Sequence, residues 1–220
     1  MMREHSGLRA MANLGVALMK LSAVPGRMGA WIIFALVLVV LFAVVGAQMS
    51  WSQVASWDTA IPLFGKHLSM TGVGELQWHL FALVVMLSGA YTMQQDQHIR
   101  VDVVSAALSM RARAGIDLVG DLLLLLPFFG LLFWFSLDFV AMSHRFAEQS
   151  NSGGLVDRYL VKSVLPLGCA LLVVCGVGRV LRNAAFVLAP ALQQEFLQRA
   201  MHDKAAADSL PAGAAEKESV

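Results

Sequence analysis

Residues 29–49 contain no Asp, Glu, Lys or Arg, and the run has the length a helix needs to cross the hydrocarbon core of a bilayer, about 20 residues. No other stretch limits the possible folds so strongly. Lipid offers the backbone no hydrogen-bond partners, so the segment must satisfy its own N–H and C=O groups as a helix. Three similar stretches follow, at about 75–93, 118–142 and 161–181. The first of these has no formal charge between Leu76 and Met93; the next encloses Asp121 and Asp138; the last carries Lys162 and Arg179 near its ends. Charged residues make up 14% of the chain, well under the roughly one quarter of a soluble domain. A soluble fold would expose more apolar surface than water tolerates.

Val45-Gly46-Ala47 resembles a signal-peptidase site, but the apolar run before it is longer than the 7–15 residues of a signal sequence, so the segment is expected to stay as a span. Pro127 and Pro166 are expected to kink the third and fourth spans. Cys169 and Cys175 lie six apart and lack metal or redox spacing; they read as small buried apolar residues. Net charge is near zero and no basic stripe points to nucleic acid.

Lys and Arg favour cytoplasmic loops. With the N-terminus inside, the inner segments hold twelve of these residues: Arg3, Arg9, Lys20, Arg27, Arg100, Arg111, Arg113, Arg179, Arg182, Arg199, Lys204 and Lys217. The outer loops hold four, namely Lys66, Arg145, Arg158 and Lys162. Both termini are therefore expected in the cytoplasm. Trp31, Trp51, Trp57, Trp78 and Tyr91 lie in outer loops or near span ends, as an interfacial aromatic belt requires.

These features predict an all-α membrane protein with four transmembrane helices. Residues 1–28 are expected to form a cytoplasmic amphipathic, interfacial helix, with Leu8, Met11, Gly15, Leu18 and Leu21 on its apolar face and Pro25-Gly26 as its break. Residues 29–190 form the membrane domain. Between spans two and three, a short amphipathic surface helix is expected from an N-cap at Asp102 and the stripe Val103, Val104, Ala107 and Leu108, with Arg111 and Arg113 after it. Residues 191–220 are expected to be a largely disordered cytoplasmic tail. The chain has no internal repeat, whereas transporters often contain duplicated halves; this weakens the idea of transport by this chain alone.

Several polar groups are candidates for function. Glu75 at the start of the second span either stabilises the helix N-terminus or contacts a partner or ion. His79, one turn deeper on the same face, can bond it. His98, Arg100 and Asp102 read as a solvated turn or as a polar anchor pairing with lipid phosphate or a partner carboxylate. Asp138 is the least expected residue in lipid; it is either hydrated near the outer end or faces protein. Asp117 and Asp121 read as helix-terminus stabilisers. Small residues at Gly89-Ala90 and Gly176-x-Gly178 are expected to let helices pack closely. No hydrolase elbow, phosphate loop or zinc cluster appears, so the chain is not expected to be an enzyme. No cofactor is expected. The main alternative is a redox-complex anchor binding quinone, or haem between His79 and His144; another is an autonomous carrier using Asp138 and Glu75.

Two stretches carry a resemblance. "GELQWHLFALVVMLSGAYTMQQDQHIRVDV", with Glu75, Trp78, Phe81, Gly89, Ala90, Tyr91, His98, Arg100, Val101 and Asp102, resembles the second-span motif of the small membrane subunit of tripartite ATP-independent periplasmic (TRAP) transporters, the DctQ-like family. "SNSGGLVDRYLVKSVLPLGCALL" is similar to the Gly-Gly-Leu, Lys, Leu-Pro-Leu-Gly pattern before that family's fourth span. The resemblance covers about 31–183. It implies a multi-pass subunit of a bacterial inner membrane, bracing a large permease subunit for sodium-driven import of an organic-acid-like solute delivered by a periplasmic solute-binding protein. The implied partners are that large subunit, the binding protein and membrane lipid. The residues to which it points as interface or structural candidates are Glu75, Trp78, His79, Tyr91, His98, Arg100, Asp102 and Asp138.

Overall fold

The computed structural model describes residues 2–95 and 108–208. The surface helix expected from Asp102 onward, together with His98, Arg100 and Asp102, lies almost wholly outside the described residues. Within them the chain forms α1 (Met2–Arg27), α2 (Gly29–Gln48), β1 (Gln53–Ile61), β2 (Gly65–Ser69) and α3 (Met70–Gln94). After the gap come α4 (Met110–Gly120), a π-helical segment (Asp121–Leu125) and α5 (Leu126–Arg145). The short α6 (Tyr159–Lys162), α7 (Val164–Leu188) and α8 (Pro190–Asp208) complete it. Four rods are long and apolar enough to cross a membrane: α1–α2, α3, α4–α5 and α6–α7.

The order of burial is inverted relative to a water-soluble bundle. Large apolar side chains such as Phe34, Leu41, Leu124, Trp134 and Phe135 point outward. The closest contacts between rods are made at small residues, with Met, Leu and Phe side chains packed around them. When the surrounding solvent is hydrocarbon, burying a Leu gains little, and close backbone approach decides how helices pair.

α1 shows this most clearly. Its buried face runs through Ala12, Gly15, Met19, Ser22, Ala23 and Gly26, not through the expected Leu18 and Leu21; Leu21 is exposed. α1 packs chiefly along α7. At their crossing, a Cβ on Gly15 would lie 2.5 Å from the Gly178 carbonyl oxygen, and one on Gly178 would lie 2.6 Å from that of Gly15. Only glycine at both positions permits this approach. Pro25 does not end the helix, contrary to expectation. The backbone continues to Arg27 and breaks at Met28. Gly26 is held against α3, where an added Cβ would meet the Tyr91 Cβ at 2.5 Å; that tertiary contact offsets the hydrogen bond Pro25 cannot make.

Proline has a different effect in the third rod. Pro127 cannot donate to the carbonyl one turn back, and its ring crowds that turn. The helix widens just before it, and Leu126 N–H donates to the Asp121 carbonyl in i→i+5 fashion. The widened turn sets Leu125 and Leu126 against Gly176 of α7 and turns Asp121 inward. The third rod also starts earlier than expected. Ser109 caps α4, its Oγ accepting the Ala112 N–H at 3.2 Å, so Arg111 and Arg113 belong to this rod.

Two further elements differ from expectation. The loop between α2 and α3 is an antiparallel hairpin with Gln53 opposite Ser69 and Ser56 opposite His67. Beyond α7 the chain does not become irregular at once; it turns at Ala189 and continues as α8, with Leu192 buried and Phe196 packed on Phe186. Residues 209–220 lie outside the described part.

Candidate functional site

At the hairpin end, Glu75 is the centre of a polar clamp. α3 begins at Met70, capped by Ser69, whose Oγ accepts the Gly72 N–H at 3.1 Å. Glu75 therefore sits one turn inside the helix rather than at its terminus, and it does not serve as a terminal stabiliser. One carboxylate oxygen accepts the Leu155 backbone N–H at 2.9 Å, the other accepts the Ser150 hydroxyl, and Arg158 lies 3.5 Å away. Gly154 has no side chain at the point of closest approach, where a Cβ would collide with the carboxylate. Leu155 is 1% exposed. Ser69 Oγ donates to the Gly153 carbonyl at 3.1 Å, and Val156 N–H donates to the Leu63 carbonyl at 2.9 Å. Leu63 adopts a left-handed φ of 72°, unfavourable for a branched side chain, and the contact with Val156 helps hold it there.

The 146–158 connection is tied down a second time by Glu148. Its carboxylate accepts the Ser143 hydroxyl at 2.8 Å and pairs with the Lys162 ammonium. Lys162, followed by Ser143, holds the Glu148 carboxyl below the ordinary carboxylate range. The same ammonium lies 4.2 Å from the centre of the Phe139 ring, a cation–π contact.

The expected Glu75–His79 bond is not made. Glu75 is committed to the 150–158 loop, and His79 Nδ1 is buried without a hydrogen-bond partner among the described residues. His79 lines a cleft of about 320 Å³ with Ala82, Met86, Arg158, Lys162 and Leu165. His144, its counterpart in the haem alternative, meets the Tyr159 ring edge-on at 4.8 Å.

At the other end of the bundle lies a pair that the order of residues alone does not bring together. Arg179 Nε donates to Asp121 Oδ2 at 2.9 Å, and their side chains are only 6% and 7% exposed. In the sequence each stands singly near a span end, and Asp121 reads as a helix-terminus stabiliser. Opposite signs at matching depth in neighbouring spans were the available signal. Their proximity depends on the π turn, which periodicity does not reveal. Cys175 and Ala90 are buried in the adjoining apolar cluster, and Cys169 and Cys175 are both free thiols.

The remaining candidates separate. Trp78 is 74% exposed on the outer face of α3, whereas Tyr91 faces inward against Gly26. Asp138 is exposed in the middle of an apolar stripe on α5 formed by Leu131, Trp134, Phe135 and Met142. It has no ionic or hydrogen-bond partner among the described residues. Glu75, the Asp121–Arg179 pair and Asp138 are thus three distinct places, two satisfied within the chain and one not.

Glu75 also connects the two stretches that carried the family resemblance, since Ser150, Gly154, Leu155 and Arg158 all lie in the second of them. A comparison with protein-family models matches residues 62–186 to the DctQ component of tripartite ATP-independent periplasmic transporters, a stretch that includes both motifs. Neither the curated proteins nor the solved structures yield a match. With more than half of its 220 residues covered by that match and four rods able to cross a membrane, this chain belongs to the DctQ family of TRAP transporter components.

Proposed function

We propose that the chain is the small membrane subunit that braces the large permease subunit of a TRAP transporter in a bacterial inner membrane. In this reading both termini face the cytoplasm, and the hairpin and the Glu75 clamp face the periplasm. The large subunit carries an organic-acid-like solute inward on a sodium gradient, after a periplasmic binding protein delivers it. The observation that supports this best is Asp138. A carboxylate facing hydrocarbon is costly, and the stripe around it is broad and aromatic. A helix of the large subunit carrying a hydrogen-bond donor or a cation would satisfy both the acid and the stripe.

The rest of the architecture fits a brace. Ion pairs and close glycine crossings lock the rods to one another, and α1 and α4 both pack along α7. A carrier domain that moves across the bilayer needs such a stationary body to move against. Reconstitution tests the reading directly. Proteoliposomes holding the large subunit and this chain, given binding protein and a sodium gradient, are expected to accumulate solute. Vesicles lacking this chain, or holding it alone, are not. Full uptake without it would refute the bracing role.

A further inference from the structure

A cleft of about 640 Å³ opens between α1, α4, α7 and α8, at the end of the bundle where α7 finishes. Its wall carries four cationic side chains, Lys20, Arg113, Arg182 and Arg199, against one carboxylate, Asp117. Lys20 is exposed and has no ionic partner among the described residues. Arg199 is paired with Glu195 at 2.6 Å, so its charge is partly engaged.

The same wall contains an orphaned donor. Asn183 is 3% exposed, and its Nδ2 has no hydrogen-bond partner among the described residues. Its Oδ1 is occupied, accepting from Arg182 Nε at 3.4 Å, which leaves the NH₂ as the open group. Gln193 adds a buried acceptor, Oε1, that is likewise unpaired among the described residues. Buried polar atoms are seldom left unsatisfied, so a donor and an acceptor in one cationic cleft point to a ligand that is anionic and also carries a hydrogen-bond donor.

We propose that this cleft binds the phosphate of an anionic, hydroxyl-bearing phospholipid headgroup. The phosphate oxygens accept from Asn183 Nδ2, Lys20 and the remaining donors of Arg199, and a headgroup hydroxyl donates to Gln193 Oε1. Depth favours a lipid over a soluble anion. Asn183 lies one helical turn beyond Arg179 and beside Arg182, in the last turns of a rod long enough to cross a membrane, where headgroups are expected. Phe186, Phe196 and Val16 supply apolar wall beside the charges, as a site holding both headgroup and acyl chain requires. Basic pockets between helices at a membrane face recognise anionic headgroups by this chemistry. The inference stands apart from the transport reading, because every residue in it belongs to this chain.

The test uses the full chain, purified in mild detergent and stripped of lipid, titrated with phosphatidylglycerol, phosphatidylcholine or inorganic phosphate while bound species are counted by native mass spectrometry. Phosphatidylglycerol is expected to bind more tightly than phosphatidylcholine. Lys20→Gln and Arg199→Gln, both at exposed positions, are expected to weaken it by about fivefold each and to leave phosphatidylcholine unchanged. Asn183→Leu removes the orphaned donor and is expected to weaken it further; should that variant fail to fold, the two surface variants decide. Inorganic phosphate that binds as tightly as the lipid and displaces it would uphold the phosphate site with a soluble occupant. Equal binding of the two lipids, or an unchanged preference in the Lys20→Gln/Arg199→Gln double variant, would overturn the proposal.

Discussion

The Glu75 carboxylate accepts the Leu155 backbone N–H at 2.9 Å, so a residue in the second span holds the connection between the third and fourth. The contact is charge-assisted and sits beside a glycine that leaves room for it. Such bonds exceed neutral ones in strength. Glu75→Gln keeps the shape and removes the charge. It is expected to cost about 1.5–3 kcal/mol and to speed hydrogen exchange across 148–158. Thermal unfolding in detergent and exchange mass spectrometry measure the two effects; unchanged exchange there would show the loop to be held by other means.

The Asp121–Arg179 pair is buried on both sides. Removing one partner leaves the other charge buried without this ion pair, so Asp121→Leu or Arg179→Met alone is expected to destabilise the chain by about 3–5 kcal/mol. The double variant Asp121→Leu/Arg179→Met is expected to recover most of that loss, because the penalty comes chiefly from the stranded charge. A double-mutant cycle on unfolding free energies checks this, with simple additivity as the contrary outcome.

Glycines at the helix crossing should behave differently from glycines elsewhere. Gly178→Ala sets a methyl group against the Gly15 carbonyl and is expected to cost about 1–3 kcal/mol. Gly130, in α5, has nothing within 4 Å of an added Cβ. Gly130→Ala is expected to be neutral or to stabilise by about 0.5–1 kcal/mol. Paired melting curves in one detergent would show the opposite signs.

Glu148 makes the 146–158 connection sensitive to acid. Lys162 and Ser143 depress its folded-state pKa below the ordinary 4.5, so the stabilisation it contributes is fully present above that value. It is lost as pH falls through the lower, folded value. Proteolysis between α5 and α6 is expected to accelerate only below about pH 4.5, and Glu148→Gln is expected to flatten that dependence. A steep change near neutrality would assign the sensitivity to another group.

Asp138→Asn is expected to leave melting of the isolated chain unchanged, since the side chain is exposed and unpartnered among the described residues. It is expected to reduce copurification with the large subunit severalfold, and Asp138→Lys is expected to abolish it. Undiminished copurification of Asp138→Lys would place the docking face elsewhere.

The rods themselves could be read from residue order, because uncharged runs in lipid have one solution. The second span was expected from Glu75 and the helix begins at Met70; the fourth was expected from Val161 and begins at Tyr159. The two motif stretches were likewise recognisable. Their meeting at Glu75 was not, since it depends on where the 146–158 connection folds back. Leu8, Met11 and Gly15 of the expected α1 face do pack inward, whereas Leu18 and Leu21 do not lie on its buried face, because small residues decide packing in hydrocarbon. The hairpin escaped notice among residues of mixed polarity. The Asp121–Arg179 pair required a π turn, and no residue pattern alone announces one.

The crossing of Gly15 with Gly178 joins two helices that lie far apart in the sequence, with the second and third rods between them. Until α7 emerges, the N-terminal helix has no seat along its main contact face. Nascent or truncated chains ending short of that glycine leave the seat empty, so α1 can dock along α7 only after the fourth rod has been made.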